Sequence, residues 1–267
     1  MIEALSYDFV QNALLAGILV SMAAGVIGSL IVVNRMVFLA GGIAHTAYGG
    51  IGVAVYFSLP IFLGASVFAV LAAILIASIT LKHRERMDTF IGLMWAVGMA
   101  LGVVLIDITP GYHADFMSYL FGSILAVSQS DIWFMGGLLA VIAFIMTFWY
   151  RDILAVSYDS EYANLRGINV PFFYTLILIL SALTVVVAIK VVGLILVIAL
   201  LTIPVYIAEK LSNTLFTMML LSGLFSSIFT IFGLWFSYEY DISSGASIIL
   251  VSAITLFSFL GVSKLLK

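Results

Sequence analysis

Three histidines and thirteen carboxylates are the side chains of this sequence best able to ligate a metal ion or carry a proton, since cysteine is absent. His45 is the one set deep in an apolar run, Asn34-Arg-Met-Val-Phe-Leu-Ala-Gly-Gly-Ile-Ala-His45-Thr-Ala-Tyr-Gly-Gly-Ile-Gly52, which Arg35 opens. If the run is helical, Gly41, His45 and Gly49 fall four residues apart on one slowly drifting face, so the imidazole has no side chain directly above or below it. That leaves an indentation with one titratable, metal-competent group in its wall. The competing reading is a small-residue face that lets helix backbones approach, with His45 hydrogen-bonded to a neighbour.

The elements that must hold this residue are set by composition. The chain has 267 residues, 64% of them hydrophobic and 9% charged, with a mean hydropathy of +1.29. Soluble domains are about one quarter charged. The expectation is an all-α polytopic transmembrane bundle forming a single domain over residues 1–267. Without cysteine, neither a disulfide framework nor a thiolate metal site is available. Met1–Phe9 carries acids where a signal peptide carries bases, so it is expected not to be cleaved. No hydrophilic segment is long enough for a soluble domain, so driving energy is expected from another chain. A net charge of −3 argues against a nucleic-acid partner.

A spanning helix needs roughly 20 apolar residues. Nine candidates meet this: about 9–33, 37–57, 60–81, 89–107, 131–149, 172–190, 191–209, 215–236 and 246–263. The pair 172–190 and 191–209 is separated only by Lys190 and Gly193, and a merged or re-entrant element there reduces the count to eight. With nine spans and the N-terminus outside, every Lys and Arg except Lys190 falls inside, as the positive-inside bias requires. Asp107, Asp115, Asp131, Glu239 and Asp241 then lie with His113 at or near outward ends. Such a face concentrates cations, although acids left at solvated loop ends give the same pattern.

The junctions carry further signals. Residues 108–130 are too apolar for a free loop yet broken by Pro110 and Gly122, which fits a short re-entrant or interfacial helix. Within it His113 and Asp115 make two potential metal ligands, which do not complete a site. His83, in Lys82-His-Arg-Glu-Arg86, belongs to an inner basic cluster suited to anionic lipid. The inward segment Tyr150–Pro171 has N-cap chemistry at Ser157 or Asp159, then a short helical run, a stop at Gly167 and Pro171 beyond. Isolated helices this short are marginal in water, so it must pack on its own bundle or present a knob to a partner. Pro204 lies inside a candidate span, where it removes a backbone bond to Leu200 and bends or unwinds the helix, with Thr202 placed to re-satisfy freed carbonyls. Asp241 with Ser243 and Ser244 reads as a turn and helix cap before the last span. No Ser–His–Asp set, HExxH or phosphate-binding Gly-Lys-Ser/Thr loop is present, so the chain is not expected to be an enzyme.

Four stretches together resemble one family, the membrane permeases of ATP-binding-cassette importers for manganese, zinc and iron. They are Arg35-Met-x-Phe38-x-x-Gly41-x-x-x-His45 with Gly49 and Gly50; Tyr119-Leu-Phe-Gly122-Ser-Ile-Leu-Ala-Val-Ser128; Asp159-x-Glu161-x-Ala163-x-x-x-Gly167-Ile168; and Val192-Gly-x-x-Leu196-Val-x-Ala199-Leu-Leu-x-Ile-Pro204-x-x-x-Ala208 with Asp241-x-x-x-Gly245-Ala. The resemblance implies a multi-pass protein of a prokaryotic inner or plasma membrane. It implies a pathway formed by two permease copies, a cytoplasmic ATP-binding subunit and an extracytoplasmic metal-binding protein. The divalent ion is cargo, with no permanently bound cofactor. Asp159, Glu161, Ala163, Arg166 and Gly167 would dock on the ATPase, and His45 would line the pathway. In many relatives an aspartate stands where this chain has Gly41, which leaves His45 without that carboxylate. Asp241, Glu239 and Asp107 are the carboxylates available to the gate. A protonated imidazole is no ligand, so uptake is expected to fall as acidity titrates His45. Two other readings differ in their needs. A permease for a metal chelate or cobalamin-like substrate would want a wider pathway. An ATP-independent, ion-coupled transporter would want several intramembrane carboxylates, and the span interiors hold almost none.

Overall fold

The computed structural model describes residues 7–81, 86–110 and 122–265. Every regular element among them is helical: α1 Asp8–Val33, α2 Val37–Tyr56, α3 Ile61–Thr80, α4 Met87–Asp107, a 3-10 turn Ile124–Ala126, α5 Gln129–Tyr158, α6 Ser160–Leu165, α7 Val170–Val192, α8 Val197–Leu211, α9 Leu215–Tyr240 and α10 Ser244–Leu265. Eight of these are long and apolar enough to cross a membrane.

The ninth candidate, 191–209, is corrected. Gly193 takes φ 87°, residues 194–196 turn, and the helix resumes only at Val197. Its 15 residues rise about 22 Å, short of the roughly 30 Å hydrocarbon core. The helix runs on through Pro204, so the break comes at the glycine rather than at the proline. Thr202 Oγ1 donates to the carbonyl of Ile198, not to that of Leu200. A second difference is α5, which continues past Trp149 (φ −118°, ψ 19°) to Tyr158. Residues 150–158 contain no glycine or proline, and Ile153 and Val156 bury their side chains, so the helix bends and carries on.

The chain groups into two compact units: Met1–Val32, Met117–Val141 and Val187–Lys267 form one, and Val33–Phe116 with Ile142–Val186 forms the other. In the first unit a Cβ on Gly17 would meet Thr230, one on Gly25 the backbone of Gly223, and one on Gly28 the carbonyl of Leu201. So α1 runs antiparallel to α9, and Ser21–Thr230 (2.9 Å) and Ser29–Ser222 (3.4 Å) hydroxyl contacts clasp the seam. The start of α1 and the end of α9 share one end, around a cavity of about 310 Å³ lined by Phe9, Leu125, Trp235 and Asp241. At the other end, Tyr206 and Lys210 of α8 meet Phe259 and Ser263 of α10. Gly193–Leu211 therefore carries the chain back across this unit despite its short helix, and α1 and α10 both run from the Asp241 end toward the Lys210 end.

In the second unit α2 packs on both α3 and α4. The α2–α3 hairpin closes at Gly50 and Gly64, where a Cβ on either would strike the other's carbonyl.

Candidate functional site

The surroundings of His45 are built by glycine. Gly49 lies against the carbonyl of Gly98, and Gly52 against the backbone of Gly102, so α2 and α4 run parallel with their backbones in contact. This is the close approach that small residues permit. The hydroxyl of Thr46 donates to the carbonyl of Gly42 (2.7 Å) and across to that of Met94 (3.0 Å), which pins the register. In that register the His45 ring stacks on Trp95, with centroids 4.0 Å apart and planes 14° from parallel. His45 is half-buried, and its Nδ1 is buried with no hydrogen-bond partner among the described residues.

Of the proposed glycines, Gly49 is thus a helix-packing position, and Gly41 is buried within α2. Asp107 ends α4 and is exposed. It lies twelve residues beyond Trp95, about 18 Å along the axis, so it does not reach His45. Asp241 caps α9 in the left-handed region at φ 52° and is exposed, as is the neighbouring Glu239. Ile242 donates its N–H to the carbonyl of Ser237 (3.2 Å), whose hydroxyl donates in return to the Ile242 carbonyl (2.6 Å). Among the described residues no three His, Asp or Glu side chains converge as a metal cluster. His83, His113, Asp115 and Tyr119 lie outside the described residues.

At the end of the first unit shared by Asp241, the structure adds a pair that sequence reasoning left unlinked. Lys190 Nζ lies 2.7 Å from Asp131 Oδ2, which also accepts from the Ser128 N–H (2.9 Å) and hydroxyl (2.7 Å). Ser123 donates its N–H to the Lys190 carbonyl (3.2 Å). Gly122 (φ 72°) abuts Gly193 so closely that a Cβ would overlap the backbone. The fully buried Ile124 anchors the turn. The signal for the pair was present, since Asp131 opens one span and Lys190 closes another. Trp95 left no such trace, because its role depends on the α2–α4 register.

The projection in the second unit is the six-residue α6. Asp159 is its N-cap, accepting from the N–H groups of Glu161 (3.1 Å) and Tyr162 (2.9 Å). Ser157 instead accepts from Asn34 Nδ2 (3.0 Å). Ala163 is fully buried while Leu165 is 87% exposed. Arg166 is the C-cap, with its guanidinium 5.9 Å above the Tyr162 ring. Gly167 takes φ 74°, and Asn169 caps α7 through the Phe172 N–H. One side of this short helix is rooted and the other stands free.

The profile described as the ABC 3 transport family matches residues 6–262. The chain belongs to that family. This family member is an integral, multi-pass membrane protein. It is 36% identical to the manganese transport system membrane protein MntC of Halalkalibacterium halodurans over 256 residues, 96% of this chain and 87% of that protein. It is 34% identical to the manganese import system permease protein ScaB of Streptococcus parasanguinis, over 93% of this chain and 88% of that one. Among solved structures, PsaBC from Streptococcus pneumoniae, in complex with Fab, has a chain matching with a TM-score of 0.86 at 32% identity, covering 97% of this chain and 93% of that chain. An ABC transporter of metal-chelate type in an inward-facing conformation matches with a TM-score of 0.73 at 16% identity, which shows the fold alone.

Proposed function

We propose that this chain is the membrane permease subunit of an ATP-driven importer for a divalent transition-metal ion. The observation that carries the reading is its near full-length similarity to manganese transport system membrane proteins. The bundle is a single transmembrane permease domain that supplies a pathway. A separate cytoplasmic subunit hydrolyses ATP, an extracytoplasmic binding protein delivers the ion, and a second permease copy completes the passage. The end bearing Lys210 and Lys264 faces the cytoplasm, as the positive-inside bias directs. The end bearing Asp131, Glu239 and Asp241 receives the cargo.

The coupling surface is α6 and its flanks, with Asp159, Glu161, Ala163, Arg166 and Gly167 shaping the knob. A helix of six residues rooted by Ala163 and capped at both ends keeps a fixed shape, so force applied to Leu165 is transmitted to α5 and α7. His45 is the pathway ligand, and its imidazole binds weakly enough that an ion can leave. Asp241 and Glu239 concentrate cations at the mouth, and Asp107 marks the exit of α4 on the same reading.

The test is reconstitution with the ATPase and binding protein, measuring ATP hydrolysis as free divalent ions or metal chelates are supplied. Stimulation by free ions supports the reading, and stimulation by chelates alone replaces it with the chelate permease.

A further inference from the structure

We infer that the cleft beside Arg35 binds the phosphate of an anionic phospholipid from the cytoplasmic leaflet of the membrane. The cleft lies within the second unit, between the turn at residues 34–36 and the adjoining ends of α4, α5 and α7, and holds about 460 Å³, a size suited to a small ligand. Its polar lining is Asn34, Arg35, Ser157, Tyr158 and Tyr174, and no acid lines it among the described residues. The helices fix its depth. α2 has 20 residues and α4 has 21, so each rises about 30 Å, the thickness of the hydrocarbon core. The two run parallel, so Arg35 before α2 and Arg86 before α4 share one end, at the level of the lipid headgroups. The positive-inside bias puts that end in the cytoplasm.

Arg35 takes φ 58°, a conformation that glycine adopts freely and arginine only at a cost. Backbone outliers of this kind cluster where the side chain has a use. Arg35 is exposed, and no carboxylate pairs with it among the described residues. Its neighbours add donors and no countercharge. Asn34 Nδ2 donates to the Ser157 hydroxyl oxygen (3.0 Å), which leaves the Ser157 O–H to donate in its turn. Tyr158, 64% exposed, carries a further hydroxyl. The nearest acids in sequence, Asp88 and Asp159, stand outside the lining, and Asp159 caps α6. A guanidinium fork with hydroxyls beside it is the donor set that phosphate oxygens take. Basic pockets between membrane helices on the cytoplasmic side are where anionic headgroups bind. With no acid in the lining, nothing receives the ammonium of a zwitterionic headgroup, so the preference is for a net-negative one. Phe38, 64% exposed in the first turn of α2, gives an acyl chain an apolar surface beside it. The alternative is an arginine that is merely solvated at the inner face, and it predicts no lipid preference.

The experiment uses the purified full chain in neutral detergent micelles. Short-chain phosphatidylglycerol is the probe, with phosphatidylcholine and inorganic phosphate as controls. Native mass spectrometry counts bound lipid, and thermal unfolding follows its effect. Phosphatidylglycerol should bind about fivefold or more tightly than phosphatidylcholine, the ratio expected of one basic residue at a membrane surface. It should also raise the melting temperature. Arg35→Gly removes the guanidinium while suiting the backbone conformation, so without lipid it should melt no lower than wild type, yet lose the preference. Arg151→Gln, at an exposed arginine of α5 outside the cleft, should keep it. Equal binding of the two lipids, an unchanged preference in Arg35→Gly, or equal losses in both variants overturns the proposal. Displacement by inorganic phosphate as readily as by phosphatidylglycerol overturns it too, by making this a site for a free anion. So does an Arg35→Gly chain that keeps the lipid but releases the ATPase, since the residue then serves a protein partner. The lipid measurement needs neither metal nor ATP, so its failure and that of the permease reading are separate results.

Discussion

The ammonium of Lys190 sits 2.7 Å from Oδ2 of Asp131, joining the last turn of α7 to the first turn of α5 within one unit. The side chains are 27% and 10% exposed, so the pair is only partly screened by solvent. Removing one partner strands the other, and among the described residues Asp131 then keeps its Ser128 contacts. Lys190→Met is expected to destabilise the protein by about 1–3 kcal/mol, below the range for fully buried pairs. Because the residues touch, the Lys190→Met/Asp131→Asn double variant should lose less than the sum of the singles. Denaturation in micelles measures the cycle, and strict additivity would mean the pair contributes nothing.

Two glycines of α4 should respond oppositely to the same substitution. A Cβ at Gly98 would lie 2.5 Å from the Thr46 Cα, while one at Gly92 meets nothing within 4 Å. Gly98→Val is expected to cost about 2–3 kcal/mol or more by forcing α2 and α4 apart. Gly92→Val should leave stability within about 0.5 kcal/mol. Thermal unfolding of the two variants side by side distinguishes a packing seam from a tolerant surface.

The α6 projection separates shape from contact. Asp159→Ala removes the cap to two N–H groups and should cost about 1 kcal/mol. Leu165→Asp alters a side chain that is 87% exposed and should leave the melting temperature unchanged. Co-purification with the ATPase should nonetheless be lost in Leu165→Asp. Full retention of the ATPase by that variant would move the docking surface elsewhere.

These contrasts show which parts of the molecule a linear reading reaches. Long apolar runs bounded by Arg35, Pro60, Asp107 and Pro171 gave helix ends within a few residues, because punctuation of this kind is local chemistry. The same holds for α6, where Asp159, Gly167 and Pro171 mark start and stop. The continuation of α5 beyond Trp149 was less visible, since Arg151 and Asp152 resemble a loop until Ile153 and Val156 are found buried. The gap before α8 turns on one residue, Gly193, whose positive φ matters only once Gly122 is seated on it. Trp95 is the extreme case. Nothing beside it in sequence marks it, and its contact with His45 exists only because Gly49 and Gly52 meet Gly98 and Gly102. Non-local register of that sort is absent from periodicity.

The central claim is that ATP hydrolysed by a partner drives a divalent metal ion past His45. Vesicles holding the permease, its ATPase and its binding protein, loaded with a metal-sensitive dye, measure it directly. Wild-type complex should fill with metal only when ATP is supplied to the ATPase face, and His45→Ala should slow filling about tenfold or more while retaining both partners. Filling that proceeds without ATP, or at an undiminished rate in His45→Ala, would contradict the account.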